Sequence, residues 1–534
     1  MSRVVIRRPA GEVIISGLGF SRIWTPATLG VKVTGGPPPI PGRAFTRRLV
    51  SVIVVLAAFG ALAAQGRSDG ATPSDAVHRS PDAAAGMPGP RYLDTGFADA
   101  DAFQGLPGSQ SAMWLSRAQS IGSSYVRFLV PWGAIAPATL TSRFQPANAS
   151  DPRYSWSTLD GQVEDAVAHD QHVVLTIDGA PAWALGRDPP PSAPPGTWRP
   201  SPSALGAFAH AVAERYSGHF PNPLRPGHDL PRVTYFQAWN EPNLPVALTP
   251  QWTRNSRGQW IPASPSFYRR MLNAVYANVK AVQPNAFVLA AGTAPYGDPP
   301  GVNRMRPVVF VRELLCLSGP ELKREYCPDP AHFDALDEHP YSLTPTIHAD
   351  NADDVSVPDV GRLSSVLSVA ERTGRALPAG PKPIWVTEIA WSSNPPDPLA
   401  IPDARQARYL SLAFYELWRQ GINHVFWLLV RDFPYKSLTG SGVYFGNGAP
   451  EPSAQAFHFQ FVALPARRGV LTLWGHAPTA GAVEIEREDG DAWKPLLALS
   501  TTPGGIFYAQ RRLGSRLVLR AQMGSVVSLP WAAG

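Results

Sequence analysis

The feature that most constrains this chain is an alternation repeated eight times, in which a short run rich in β-branched and aromatic residues precedes a longer run with apolar residues at helical spacing. The strand-like runs fall at 91–95, 125–130, 172–177, 234–239, 287–291, 333–337, 384–387 and 424–429. Between them, Phe267, Met271, Leu272, Val275 and Val279 put one apolar stripe on a helix face, and 404–419 is patterned alike. Strands joined by helices can pair only in parallel, and eight such units close a barrel. The predicted fold class is therefore α/β, a (β/α)8 TIM barrel over 91–463. Two Pro/Trp-rich insertions, 189–200 and 242–265, follow the third and fourth strands, on the face where such barrels carry their sites.

From Gly469 onward the pattern shortens to runs at 470–474, 483–488, 493–499, 506–510, 517–521 and 526–529. In Val483-Glu484-Ile485-Glu486 apolar and charged residues alternate strictly, as a sheet with one buried and one wet face requires. These runs predict a small, separable β-sandwich of immunoglobulin-like type as an accessory domain over 464–534.

At the other end, Arg47-Arg48 precedes an apolar segment that closes the span 47–64 and carries Ala61-Leu62-Ala63, an A-x-A cleavage pattern. The segment is shorter than the roughly 20 residues that span a bilayer. It reads as a signal peptide or, alternatively, as a membrane anchor. A leader of uncertain status occupies 1–46 and a polar linker 65–90. The chain is thus expected outside the cytoplasm, secreted or associated with the bacterial membrane through that segment. In such an oxidising compartment Cys316 and Cys327, the whole cysteine complement, are expected to pair.

The 47 basic and 41 acidic residues leave a net charge of +6 with no dense Lys/Arg block in the folded region, so nucleic acid is not an expected partner. The histidines form no H-E-x-x-H pair, and there is neither a cysteine cluster, a P-loop nor a dinucleotide glycine fingerprint. No metal and no cofactor is expected.

In a parallel barrel the chemistry sits where polar residues end apolar strands. The second strand carries Arg127, and Asp178 follows the third as a candidate substrate contact. The fourth ends in Asn240-Glu241-Pro242, the sixth in Glu338-His339-Pro340-Tyr341 and the seventh in Thr387-Glu388, while the eighth carries Trp427. Two carboxylates on strands four and seven suit glycoside cleavage, which needs a proton donor at the leaving oxygen and a carboxylate at the anomeric carbon.

The order of these motifs resembles the retaining glycoside hydrolases of clan A, in particular family 39 or family 5, over residues 91–463. The resemblance implies a carbohydrate substrate, with Glu241 as acid/base and Glu388 as nucleophile. It also implies that Arg127, His339, Tyr341 and Trp427 support substrate and nucleophile, and that Asn240 bonds the sugar 2-hydroxyl. Trp391, Trp183 and Trp132 are read either as packing or as sugar-stacking residues. The expected function is hydrolysis of O-glycosidic bonds in a β-linked glycoside or polysaccharide by double displacement. A transglycosylase using the same site and a non-catalytic surface carbohydrate-binding protein are the alternatives.

Overall fold

The computed structural model describes residues 4–8, 11–15, 87–395, 398, 400–433, 440–514 and 516–533. Within the leader, Val4–Arg8 and Gly11–Ile15 pair as an antiparallel hairpin. The rest of that leader, the apolar segment at 47–64 and the linker up to residue 86 lie outside the described residues. Among the described residues no helix is long and apolar enough to cross a membrane.

Eight parallel strands close a barrel in sequence order: β1 Asp94–Ala98, β2 Tyr125–Pro131, β3 His172–Asp178, β4 Tyr235–Ala238, β5 Phe287–Thr293, β6 Ala335–Glu338, β7 Ile384–Ile389 and β8 His424–Trp427. The ladder runs without a break from β1 onward and closes where His424 faces Asp94. Each strand is followed by a helix: α1 Gly108–Ser120, α2 Ser157–Ala168, α3 Pro202–Arg215, α4 Ser264–Val282, α5 Pro307–Leu314, α6 Gly361–Arg372, α7 Asp403–Trp418 and α8 Pro452–His458. The strands read as nearly continuous apolar runs because both their faces are covered, one by helices and the other by the barrel interior. In β2, Val126, Phe128 and Val130 have no exposed surface. On α4 the stripe buries Tyr268, Met271, Leu272, Val275 and Val279. The expected TIM barrel is therefore present.

One strand is displaced from its expected position. β1 begins at Asp94, because Arg91 and Tyr92 leave the barrel and reach the C-terminal sheets, where Thr502 Oγ1 donates to the Arg91 carbonyl at 2.6 Å. The insertion after β4 carries a small hairpin, Trp252–Arg254 with Trp260–Pro262. Cys316 and Cys327 are joined in a disulfide in the connection between α5 and β6, with their Cα atoms 5.9 Å apart.

The C-terminal region is β-rich. β9 Gln460–Arg467, β10 Val470–His476 and β13 Ile506–Arg512 form one antiparallel sheet. β12 Ala492–Ser500, β11 Ala482–Asp489 and β14 Leu517–Met523 form the other, extended by β15 Val526–Val527 and β16 Trp531–Ala533. β9 starts directly after α8 and runs across the boundary expected at 463/464. The sheets dock on α7 through aromatic contacts, Trp418 to Trp474 at 5.6 Å and Trp418 to Tyr508 at 5.9 Å. Arg408 lies over the Trp531 ring at 3.7 Å. Barrel and sheets share one continuous apolar core. Edge patterning along a strand reports a wet face but not what covers the far end of a sheet.

Candidate active site

The barrel mouth gathers side chains from β2, β3, β4, β6 and β7. Arg127, on β2, is the hub: Nε donates to Gln237 Oε1 at 2.7 Å, Nη1 to Glu388 Oε1 at 2.6 Å and Nη2 to Asn240 Oδ1 at 2.6 Å. Gln237 in turn accepts from Thr176 Oγ1 at 2.7 Å and donates to Asp337 Oδ2 at 2.6 Å. Asp337 also receives the backbone N–H of Thr387 at 3.0 Å and its hydroxyl at 2.5 Å. This polar layer inside the barrel fixes where the strand ends can present their carboxylates.

Two groups act on Glu388. Arg127 holds Oε1, and the Tyr341 hydroxyl donates to Oε2 at 2.8 Å. His339 stands between the two glutamates, with Nδ1 3.2 Å from Glu241 Oε1 and 3.8 Å from Glu388 Oε2, while Nε2 lies 3.1 Å from Thr387 Oγ1. Glu338, beside His339, turns the other way and takes the Thr293 hydroxyl. Glu241, Glu388, Arg127, Asn240, His339 and Tyr341 are all at most 5% exposed.

Burial acts on both glutamates, but their neighbours separate them. Burial and the charge of Glu388 push the Glu241 carboxyl above the usual range, against the pull of His339. Glu388 is buried as deeply, yet His339, Arg127 and Tyr341 together hold it below that range. Burial would depress the His339 imidazole, and the charge of Glu388 with bonds to Asp337 and Glu241 overrides it, lifting the ring to about 10. The site therefore sets a carboxyl raised above the usual range, Glu241, beside one held below it, Glu388, with the His339 imidazole protonated at neutral pH between them.

Glu241, His339 and Glu388 bring donor atoms within 4.8 Å of one another, a spacing that could in principle hold a metal ion. Their chemistry does not fit one. Both Glu388 oxygens are engaged by Arg127 and Tyr341, and a protonated imidazole has no lone pair to give.

No protein-family model matches the sequence, and no characterised protein matches it in sequence. Solved structures do resemble it. A family 39 glycoside hydrolase from the gut symbiont Bacteroides cellulosilyticus WH2 is 17% identical, with a TM-score of 0.49 over 79% of this chain and 81% of that one. A GH30 endoxylanase from Clostridium papyrosolvens C71 is 13% identical, with a TM-score of 0.42 over 80% and 94%. A GH5_18 protein from Streptomyces cattleya, in complex with GlcNAc, is 13% identical with a TM-score of 0.43 over 69% and 79%. The barrel itself rests on its own closed ladder.

The remaining residues singled out in the sequence are placed differently. Asp178 ends β3 half-buried at the mouth, where burial pushes its carboxyl up to about 7 while the Arg127 charge pulls it down. Trp427 has no exposed surface, and its indole N–H donates to the Ser441 carbonyl at 2.7 Å. Trp391, 6.0 Å away, is likewise buried and bonded to the Ser342 carbonyl. Trp132 is buried against Phe208, and the partly buried Trp183 packs edge-on to Trp132 with its N–H on the Pro137 carbonyl. The sequence reading missed Thr176, Gln237 and Asp337. Their signal was present as single polar residues inside apolar strands, at the inward positions of the period-2 alternation.

Proposed function

We propose that this chain is a retaining glycoside hydrolase acting on a β-linked carbohydrate outside the cytoplasm. The observation that carries the reading is a pair of buried carboxyls whose oxygens lie within 4.8 Å of each other and whose acidities are displaced in opposite directions. Retaining enzymes place the two groups roughly 5–5.5 Å apart, whereas inverting ones need about 6.5 Å or more to admit a water between carboxylate and sugar. In the first step Glu388 forms a bond to the anomeric carbon as the glycosidic C–O bond breaks and Glu241 protonates the departing oxygen. In the second, Glu241 takes a proton from water, whose oxygen attacks the anomeric carbon and releases Glu388. Asn240, held by Arg127, is in position to bond the sugar 2-hydroxyl, and half-buried Asp178 is a second polar contact at the mouth.

The test is a panel of aryl β-glycosides, followed by two variants. Glu241→Ala should still form the glycosyl-enzyme from an activated substrate and pass it to azide as the β-azide. Glu388→Ala should yield the α-azide instead, because the anion occupies the space the carboxylate vacated. A 2-deoxy-2-fluoro glycoside of the matching sugar should label Glu388 in the wild type. Labelling of Glu241, or an inverted product, would overturn the assignment, and no turnover of any aryl glycoside would favour a binding protein.

A further inference from the structure

A buried carboxyl that the proposed mechanism does not use closes the end of β6. Glu338 has no exposed surface, and its Oε2 accepts the hydroxyl of Thr293, the last residue of β5. Its other oxygen, Oε1, has no hydrogen-bond partner among the described residues. A carboxyl buried this deeply and bonded once is costly to keep, so its place in β6 calls for a reason beyond packing.

The end of β5 carries the backbones of both members of the acid/base pair. The Thr293 carbonyl accepts the His339 N–H at 3.0 Å, and the carbonyl of Gly292 beside it accepts the Glu241 N–H at 3.1 Å. The two side chains, hung from opposite sides of one strand end, meet with Nδ1 of His339 3.2 Å from Oε1 of Glu241. That strand end is irregular. Ala291 and Gly292 take φ values of 71° and 67°, and the pairing of β5 with β6 skips Gly292, passing from Asp337 opposite Ala291 to Glu338 opposite Thr293. A bulge leaves its extra residue unpaired and disrupts the ladder. The Glu338–Thr293 bond ties the two strands together just beyond that break.

We propose that Glu338 is a positioning residue for the acid/base group: through Thr293 it fixes the end of β5, and with it the spacing of Glu241 from His339. Its effect on catalysis rests on the glycosidase reading, whereas its effect on that spacing does not. The charges that reach Glu338 are those of Asp337, His339 and Glu241. Burial pushes its carboxyl well above the usual range, against the Thr293 bond and the His339 charge, so glutamine is the matching neutral replacement.

The experiment follows the imidazole itself. The full chain, labelled at histidine, is titrated by NMR, with His339 assigned by the signal lost in His339→Gln. Thr293→Val and Glu338→Leu should each lower the His339 midpoint from about 10 by roughly one pH unit, because the ring loses its hold on Glu241. Glu338→Gln should leave the midpoint in place. On an aryl β-glycoside the same two variants should lose kcat on the order of tenfold with KM little changed, and the double variant should lose no more than the worse single one. A His339 midpoint that Thr293→Val leaves unmoved would overturn the proposal, as would losses that multiply in the double variant. Glu338→Gln behaving like Glu338→Leu would assign the effect to charge rather than position and overturn it too. If the wild type turns over no aryl glycoside, the glycosidase reading falls, and the NMR midpoints by themselves decide whether Glu338 sets the spacing.

Discussion

His339 is the residue on which the acidity of the site turns. It reaches both glutamates, and its charge lowers the Glu388 carboxyl and opposes the rise of Glu241. Replacing it by Gln withdraws that attraction, so both carboxyls should titrate at higher pH. We expect the whole kcat/KM profile of His339→Gln to move to the alkaline side, the acid limb with Glu388 and the basic limb with Glu241. Limbs that stay in place while activity falls would make His339 a spacer only. Folding lifts the imidazole from 6.5 to about 10, so its contribution to stability is complete below 6.5 and is lost as pH rises through about 10. Glu388 runs the other way: lowered by its cations, it stabilises above the ordinary carboxylate range and loses that contribution as pH falls.

At the scale of the element, the strand ends leave regular geometry where the chemistry begins. Trp239, Glu241 and Ala291 adopt φ values of 73°, 43° and 71°, the left-handed region that side chains avoid. Such residues cost of order 1–3 kcal/mol each and persist only where surrounding contacts hold them. The hydroxyl of Tyr268, on α4, bridges two of these ends, donating to the Ala238 carbonyl and accepting the Ala291 N–H. Gly292 continues the bend with φ of 67°, and a Cβ there would lie 2.6 Å from Gln237 Nε2, 2.8 Å from Asp337 Oδ2 and 3.0 Å from His339 Nε2. Gly292→Ala should therefore displace the polar layer under both glutamates. We expect a fall in kcat on the order of 100-fold in a chain that keeps its circular dichroism. Near-normal kcat would show that the layer does not position the carboxyls.

For the whole molecule, the decisive contact is between α7 and the C-terminal sheets. Trp418 and Trp474 are both fully buried there and lie 5.6 Å apart. Trp474→Ala should cost about 3–5 kcal/mol, the range for emptying a buried indole site. Since barrel and sheets share a core, the loss should appear as a single transition moved to lower temperature. Two separated transitions, with the upper one unchanged, would restore the independent module expected from the strand pattern. A cut at Pro465 falls inside β9 and would expose that core.

Local pattern by itself determined the eight strand–helix units, because periods of 2 and 3.6 are written into consecutive residues and parallel strands need helices between them. It also determined Glu241 and Glu388 as candidates, since a carboxyl at the end of an apolar strand has few structural uses. What only the tertiary structure decided are relations between distant residues. Arg127 meets Glu388 across 261 positions, and with His339 and Tyr341 it separates the acidities of two otherwise similar glutamates. The Trp427 indole N–H finds its acceptor in the Ser441 carbonyl, 14 positions on in a loop that strand patterning does not describe. The exit of Arg91 and Tyr92 from the first strand depends on sheets more than 400 residues further on, where Thr502 takes the Arg91 carbonyl at a separation of 411. Hydrogen bonds and burial act through space, and a linear pattern holds only the part of that space that lies within a few residues.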